Sequence, residues 1–296
     1  MYCNLCPRRC GIDRSSSTGF CNAPENLKIA RAALHFWEEP CISGTEGSGT
    51  IFFSGCSLGC VYCQNYEIAL GNSGLEVSDD RLVEIMLELQ NQMANNINLV
   101  TPDHYALVIN RCIKKARSLG LKIPVVTNTG GYLSAECFTT LNEITDVWLT
   151  DFKYFSHELS ELYSNAPDYR EVALDALRKM VEEKGELRYR NGILQSGVIV
   201  RILLLPGALK DAKAIIDLLY PEFGNKIIYS LMNQYTPPPQ SRKVPDILRR
   251  KVSRYEYDHF LDYAVSAGIT NAYIQEEGTA DDSFIPPFDY TGVIRK

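Results

Sequence analysis

Short apolar runs alternate with longer amphipathic stretches from residue 50 to near the end of the chain. The short runs are typical of buried strands, and apolar residues at helical spacing predict helices that bury one face. The predicted strands are 50–54, 97–100, 123–128, 146–155, 196–205, 225–235 and 271–276. The predicted helices are 78–95, 103–120, 134–144, much of 156–185, 209–220 and 245–268. Ser78 stands at the start of the first helix, where its hydroxyl can act as the N-cap.

This alternation is typical of βαβ units, which place their strands in a parallel sheet. Six or seven such units are fewer than the eight of a closed barrel, so we expect an α/β fold with an open or partial (β/α)6 barrel. The barrel and a C-terminal extension would occupy residues 50–296, with a proline-rich loop over 235–245. In folds of this kind the functional site lies at the carboxyl ends of the strands.

Residues 1–49 differ from the rest of the chain, because they are rich in Cys, Arg, Gly and Ser and show no regular apolar pattern. We expect a cysteine-rich, irregular, metal-binding lead-in rather than an independent hydrophobic domain. The chain has ten cysteines, and eight of them lie in the first 63 residues. In a reducing compartment such crowding indicates metal binding rather than disulfides. Cys112 and Cys137, the two later ones, are typical of core packing.

Composition and charge exclude several classes of partner. A chain of 296 residues that is 45% hydrophobic can bury a substantial core. Its net charge of −6 disfavours a nucleic-acid groove, which would need a basic face. No apolar run reaches the roughly 18 residues that span a bilayer, and the N-terminus does not have the pattern of a signal peptide. We therefore expect a cytoplasmic protein with reduced thiols that binds neither membranes nor nucleic acid.

Three cysteines, Cys56, Cys60 and Cys63, follow the first predicted strand at the spacing C-x3-C-x2-C. A [4Fe–4S] cluster normally takes four thiolates, one per iron, so three thiolates leave one iron open. An open iron can chelate a small molecule that carries an amine and a carboxylate. Two alternatives are a catalytic zinc site with three thiolates and water, and a zinc knuckle built on C-x2-C alone. The position of all three cysteines on one loop after a buried strand favours the cluster.

The C-x3-C-x2-C motif resembles the signature of the radical SAM superfamily. The longer stretch "GSGTIFFSGCSLGCVYCQN" resembles pyruvate formate-lyase activating enzymes, and "CNLCPRRCGIDR" and "SLMNQYTP" are similar to an activase-like branch of that group. The resemblance implies a partial radical SAM barrel with a [4Fe–4S] cluster and S-adenosylmethionine, and it places Tyr62 near the adenine. It also implies reductive cleavage of the cofactor to a 5′-deoxyadenosyl radical, with an electron donor such as flavodoxin or ferredoxin.

That radical would abstract a hydrogen atom from the substrate, which the resemblance suggests is a glycine of a partner protein. Radical modification of another peptide or of a small molecule is the alternative activity. A non-enzymatic metal-binding scaffold or electron carrier is the alternative class, and an open iron argues against it because a pure carrier favours four ligands. The first step needs no general acid or base, and no catalytic side chain is predicted.

The end of the second strand carries Thr101, Pro102 and Asp103, where relatives have a glycine-rich acidic motif that holds the methionine amine. The resemblance therefore makes Thr101 a cofactor-binding candidate. Asp103 has two interpretations: it contacts the cofactor, or it begins a helix and complements the helix dipole. His104 follows the same strand and is a further site candidate.

The next three strand ends carry the other cofactor-binding candidates. Asn128 ends the third strand, where its amide can reach the ribose or the carboxylate. Asp151 and Lys153 share a face of the fourth strand and resemble the Asp-x-Lys of activating enzymes; the alternative is a surface ion pair. Arg201 interrupts an apolar strand, so it needs an anionic partner, which is either the cofactor carboxylate or a structural acid.

Four further cysteines, Cys3, Cys6, Cys10 and Cys21, form C-x2-C-x3-C-x10-C in the lead-in. Four thiolates can close a metal site completely, and such an irregular segment would draw its folding energy from the metal. Zinc and a second iron–sulfur cluster both fit four thiolates. The alternative is four free thiols on a mobile terminus. Cys41 lies between the two groups and could replace one of the four.

Overall fold

The computed structural model describes residues 3–275 and 285–295, which form one large, mostly parallel sheet covered by helices. The strands are β1 Leu27–His35, β2 Ser48–Phe53, β3 Leu75–Val77, β4 Ile97–Val100, β5 Val125–Thr129, β6 Val147–Asp151, β7 Arg188–Arg190, β8 Ile193–Leu203, β9 Ile228–Met232 and β10 Ala272–Ile274. The helices are α1 Pro40–Ser43, α2 Tyr66–Ala69, α3 Asp79–Asn91, α4 Ala106–Ser118, α5 Ala135–Asn142, α6 His157–Ser164, α7 Tyr169–Lys184, α8 Leu209–Phe223 and α9 Arg254–Ala267.

The sheet order is β10-β9-β8-β6-β5-β4-β2-β1-β3, and β7 pairs with β8 outside this path. The strands from β2 to β10 along this path pair in parallel, and α3, α4, α5, α6 with α7, α8 and α9 connect them in turn. This is the predicted α/β fold with six βα units, and the partial (β/α)6 barrel is confirmed. The seventh predicted strand, 271–276, is β10, and residue 276 lies outside the described part of the chain.

Local sequence explains where several elements begin. All six residues of β2 are buried, as expected for a parallel strand with both faces covered. The predicted cap of α3 is confirmed, because the Ser78 hydroxyl accepts a hydrogen bond from the Arg81 backbone N–H. Ser134 caps α5 and Ser156 caps α6 in the same way. These caps fix the register at which each helix leaves the sheet.

The prediction that the whole of residues 1–49 is irregular was wrong beyond residue 26. Leu27–His35 forms β1, which pairs antiparallel with both β2 and β3, and Pro40–Ser43 forms α1. The sequence of β1, LKIARAALH, mixes small, charged and apolar residues, so its period of two is weak. Tertiary pairing with β2 decides its conformation. Before Leu27 the described residues contain no helix or strand, so the irregular lead-in is correct for that part.

The single long helix predicted over 245–268 was also wrong. Asp246–Arg249 forms a separate 3₁₀ turn, and α9 begins after Ser253. Ser253 and Glu256 make a capping box, which starts a new helix there because each side chain satisfies a backbone N–H of the other. In the described residues no helix is long and apolar enough to span a membrane.

The inner face of the sheet changes character along the strands. Its lower part, near the strand N-termini, is an apolar cluster, to which α1 contributes Cys41 and Ile42. The cluster also includes residues from β5, β6, β8 and β9, namely Val126, Val147, Leu149, Ile199 and Ile228. Two positions further along these strands the inward residues are polar: Asn128, Asp151, Arg201 and Ser230. A cavity therefore forms at the carboxyl edge, above an apolar floor.

Candidate cofactor site

The three cysteines of the C-x3-C-x2-C loop lie at the end of β2 and line one cavity of about 320 Å³. Gly55 makes the sharp exit from β2: its φ is +100°, and a Cβ there would meet the Cys21 carbonyl oxygen at 2.7 Å. The Leu58 N–H donates to Cys56 Sγ at 3.4 Å, and the Ser164 hydroxyl donates to a second sulfur, Cys60 Sγ, at 3.0 Å. The loop thus turns its sulfur atoms toward the cavity and supplies donors to them.

Burial governs the acidity of these thiols. It raises the pKa of Cys56 to about 11 and that of Cys63 to about 12, and Cys60 raises both further. Such thiols are deprotonated when a metal binds and stabilises the thiolate. Within residues 3–275 and 285–295, no three side chains of the ligand types converge as one bound ion requires. A four-iron cluster spreads its thiolates over separate corners and does not need them to meet at one point, so the three thiols are compatible with a cluster.

Most of the other predicted residues line the same cavity. They are Thr101 after β4, Asn128 in β5, Asp151 at the end of β6, Lys153 just beyond it, and Arg201 in β8. The parallel sheet brings them together, because the carboxyl ends of neighbouring strands meet at one edge. Residues as far apart along the chain as Cys56 and Arg201, about 145 positions, thus line one site.

Asp151 is the centre of an ion network in this wall. It accepts from Lys153 Nζ at 2.5 Å and from Arg201 Nε at 2.8 Å, and Arg201 Nη2 donates to Asn128 Oδ1 at 2.6 Å. Burial alone would raise the pKa of Asp151, but the two cations outweigh it and hold that pKa below its usual range. The Asp151 and Lys153 side chains are only 20% and 18% exposed, so the alternative of a surface ion pair is wrong. Arg201 has structural carboxylates as its partners.

The structure confirms one of the two interpretations of Asp103, the start of a helical turn, and contact with the cofactor stays a prediction. It begins a 3₁₀ turn, Asp103–Tyr105, and its side chain also lines the cavity while only 1% of the residue is exposed. Its Oδ1 atom is buried without a hydrogen-bond partner. Burial raises the pKa of Asp103 to about 7, although a hydrogen bond from Thr129 acts in the opposite direction and lowers it. An orphaned carboxylate oxygen on a cavity wall is suited to accept from an ammonium group.

Thr101 adopts a left-handed backbone conformation, with φ of +56°. This is an unusual conformation for a β-branched residue and is strained. Its backbone N–H donates to the Asn128 carbonyl at 2.9 Å, which holds the turn against β5. The turn places Thr101 in the lining of the cavity.

His104 and Tyr62 lie elsewhere than predicted. The His104 ring is buried outside this cavity, with Nε2 at 2.8 Å from the Ser54 carbonyl, and burial lowers its pKa to about 3. Tyr62 is also absent from the cavity wall, because its ring packs against Tyr154, Tyr163 and Tyr235. Its predicted contact with adenine gains no support from this packing.

Two acidic residues of the site were missed by sequence reasoning. Glu38 and Glu39 precede α1, inside the segment expected to be irregular, and both line the cavity. Glu38 accepts from Asn98 Nδ2 at 3.1 Å and lies 3.5 Å from Arg201 Nη1. The available signal was a pair of acids within the otherwise apolar and small-residue stretch 32–44.

The four lead-in cysteines are near one another but do not line the cavity. Burial raises the pKa of Cys6 to about 11, and the other three, Cys3, Cys10 and Cys21, raise it further. Cys41 is not part of this group: it lies 2% exposed in the apolar floor, so its proposed substitution for one of the four is wrong. Its burial follows from α1, which the sequence pattern did not reveal.

Backbone N–H groups donate to three of these four sulfurs. The donors are Arg8 to Cys6, Phe20 to Cys10 at 3.4 Å, and Ala23 to Cys21. Such donors stabilise a sulfur atom that carries negative charge, which is the form that binds a metal. The lead-in thus has a backbone arranged around its thiols.

Comparison with known proteins identifies the family of this chain. The family model of the radical SAM superfamily matches residues 50–219. An uncharacterized protein of Methanocaldococcus jannaschii is 29% identical over 258 residues, which cover 84% of this chain and 70% of that protein. A domain of a pyruvate-formate lyase-activating enzyme from Bacteroides vulgatus is similar with a TM-score of 0.40 and 16% identity, over 58% of this chain and 92% of that one. Because the family model covers more than half of the 296 residues, this chain belongs to the radical SAM superfamily of enzymes, which use an iron–sulfur cluster and S-adenosylmethionine.

Proposed function

We propose that this enzyme holds a [4Fe–4S] cluster on Cys56, Cys60 and Cys63 and binds S-adenosylmethionine in the adjoining cavity. The observation that carries the proposal is that three thiols and Asp103, whose Oδ1 atom has no hydrogen-bond partner, line one cavity at the carboxyl edge of the sheet. With the cluster and cofactor bound, the chemistry supplied is a 5′-deoxyadenosyl radical that takes a hydrogen atom from a substrate.

The residues of the chain have separate tasks in this proposal. Three thiolates hold the cluster and leave one iron for a non-protein ligand. Asp103 accepts hydrogen bonds from the methionine ammonium, and the Thr101 turn presents its hydroxyl beside it. Asp151 fixes Lys153 and Arg201, so that the wall keeps its shape when the cavity is filled. The buried surroundings exclude water from the reacting atoms.

For the substrate, the activating-enzyme resemblance makes a glycine of a partner protein the first candidate. Another peptide or a small molecule is the second candidate. A one-electron donor such as flavodoxin or ferredoxin would supply the reducing electron.

The test is an anaerobic assay of the reconstituted enzyme for 5′-deoxyadenosine, with dithionite as the reductant and with glycine-containing peptides added. Product from wild-type enzyme, lost in Cys63→Ala and kept in Cys112→Ala, supports the proposal. Cys112 is a matched control because it is buried in α4, away from the cavity. Absence of product at full cluster occupancy would contradict the proposal.

We further propose that Cys3, Cys6, Cys10 and Cys21 hold a second metal centre with four thiolates. The amide donors at three of the four sulfurs support it. In the described structure the four sulfurs do not meet at single-ion distance, so binding of zinc would require side-chain rotation. Metal analysis separates the options: about four irons with one zinc indicate structural zinc, and about eight irons indicate a second cluster.

A further inference from the structure

Part of the lining of this cavity is acidic, and the cofactor tasks above leave it unexplained. This part consists of Trp37, Glu38 and Glu39 from the segment before α1, with Tyr273 from β10, and is called here the acidic wall. Glu38 lies over the middle of the sheet, because it contacts Asn98 of β4, Asn128 of β5 and Arg201 of β8. The two carboxylates of this wall differ in how they are satisfied.

Glu38 has partners for its carboxylate, whereas Glu39 is satisfied in part: Ser230 and its own backbone N–H favour the charged form, but one oxygen atom has no donor. Glu38 receives hydrogen bonds from Asn98 and Asn128 and lies beside Arg201. Glu39 is 7% exposed, and its Oε2 atom is buried with no hydrogen-bond partner. A buried carboxylate oxygen without a donor costs free energy, so its retention on a cavity wall indicates a missing ligand group.

The charges around the cavity define that group. Four acids line it, Glu38, Glu39, Asp103 and Asp151, against two described cations, Lys153 and Arg201. Both cations are bound to Asp151 already. His35 also lines the cavity, but burial lowers its pKa to about 4, so it is neutral near pH 7. Among the described residues Arg201 is the cation beside the acidic wall, where it is shared between Glu38 and Asp151, and Glu39 Oε2 receives no hydrogen bond from it.

Two aromatic rings stand beside the carboxylates. Trp37 and Tyr273 both line the cavity, and 61% of the Trp37 surface is exposed. An aromatic face attracts a cation placed over it, most strongly for tryptophan. Carboxylates together with aromatic faces form an environment that favours an ammonium or guanidinium group over a neutral or anionic group.

We propose that the acidic wall binds the substrate through a positively charged ammonium or guanidinium group. This inference rests on the proposed function and specifies the substrate class of that same site. Glu39 Oε2 accepts from the cation, Glu38 adds charge behind it, and Trp37 covers one side. A substrate held there by its cationic end presents its neighbouring C–H bonds to the space between the acidic wall and the cysteine loop.

The test compares charged and neutral probes of the same shape. The anaerobic enzyme, with its cluster reconstituted, is titrated calorimetrically with and without S-adenosylmethionine. One pair of probes is N-acetylarginine amide with N-acetylcitrulline amide, and the other is N-acetyllysine amide with N-acetylnorleucine amide. We expect the charged member of at least one pair to bind about tenfold more tightly, the usual size of one charge-assisted hydrogen bond. The pair that shows the preference identifies the cation.

Variants assign the preference to Glu39. Glu39→Gln keeps the shape and a hydrogen-bonding amide but removes the charge, so we expect the preference to fall to about twofold or less. Glu46→Gln is the matched control, because Glu46 is exposed and does not line the cavity, and it keeps the preference. Unchanged binding of the neutral probes shows that Glu39→Gln is folded.

Equal affinity within both pairs of probes would overturn the inference, and so would a charge preference that survives in Glu39→Gln. Loss of the cofactor response in Glu39→Gln would also overturn it, because that loss would assign Glu39 to the cofactor. The cofactor response is the change that S-adenosylmethionine makes in the EPR signal of the reduced cluster. If wild-type enzyme lacks that response but keeps the charge preference, the proposed function is contradicted and the inference about the acidic wall is supported. If the response is present and the preference absent, only the acidic wall fails.

Discussion

The two groups of cysteines in this chain lie side by side but differ in what surrounds their sulfur atoms. The three of the C-x3-C-x2-C loop line a cavity that Asp103 also lines, and the Oδ1 atom of Asp103 is buried without a hydrogen-bond partner. The four of the lead-in lie off that cavity, and backbone N–H groups of their own segment approach three of them. A metal centre that keeps a position open for a cofactor needs polar groups next to it that are free to bind that cofactor. A centre closed by four thiolates needs only a chain that turns enough to bring its four cysteines together.

The two groups are also in contact. The Cys56 backbone N–H donates to the Cys21 carbonyl at 3.2 Å, and Arg8 of the lead-in donates to the Ser57 carbonyl at 2.9 Å. Arg8 also donates to the carbonyl of Ser164 at 2.7 Å, and the hydroxyl of the same Ser164 donates to Cys60 Sγ. These hydrogen bonds from the lead-in therefore stabilise the cysteine loop. The comparison predicts that substitutions in the loop and in the lead-in differ in the size of their effects.

Loss of one thiol from the loop has the largest expected effect. Cys60→Ala leaves two protein ligands, and we expect both the cluster EPR signal and 5′-deoxyadenosine formation to fall to background. Iron analysis and product assay measure this, with Cys112→Ala as the control. Cluster retention in Cys60→Ala would show that this sulfur is not a ligand.

Loss of Asp151 comes next, because Asp151 is the shared partner of two buried cations. Asp151→Ala leaves Lys153 without its carboxylate and Arg201 with Glu38 as its remaining acid, and we expect a loss of about 3 kcal/mol of stability, together with weaker cofactor binding. Asp80→Ala is the control, since it breaks a surface ion pair with Lys115 and should change the urea midpoint little. Equal midpoints for the two variants would show that the network does not stabilise the wall.

The fold was more predictable than the site, for physical reasons. The parallel strands were visible because both of their faces are buried, which leaves continuous apolar runs such as that of β2. The strand-end residues Asn128 and Asp151 could be placed because parallel strands share a carboxyl edge. Glu38 could not be placed, because its burial depends on Asn98 and Arg201, which lie 60 and 163 residues away along the chain.

Loss of a lead-in thiol should have a smaller effect on activity and a clear effect on metal content. In Cys21→Ala we expect the second metal to be lost and the melting temperature to fall, while the first cluster keeps about four irons. Wild-type protein with about four irons and no zinc, unaltered in Cys3→Ala and Cys21→Ala, would show that the lead-in binds no metal.

The smallest expected effect concerns His104, which lies between the two groups. Its ring contacts the Ser54 carbonyl before the cysteine loop, and its carbonyl accepts from Arg14 of the lead-in. The folded pKa of about 3 is below the usual 6.5, so the unfolded chain takes up the proton first and stability falls as pH decreases from 6.5. The loss is about 1.4 kcal/mol per pH unit. Urea unfolding of His104→Gln at pH 7, 6 and 5 should show a shallower decline; an unchanged slope contradicts this.

The central claim is that the three thiols of the loop hold a cluster with one iron open to the cofactor. The most direct measurement is the EPR spectrum of the reduced, reconstituted enzyme before and after addition of S-adenosylmethionine. A cofactor that ligates the open iron changes the electronic surroundings of the cluster, so we predict a shift of the signal in wild-type enzyme and in Cys21→Ala. An unchanged spectrum at full cluster occupancy would contradict the claim.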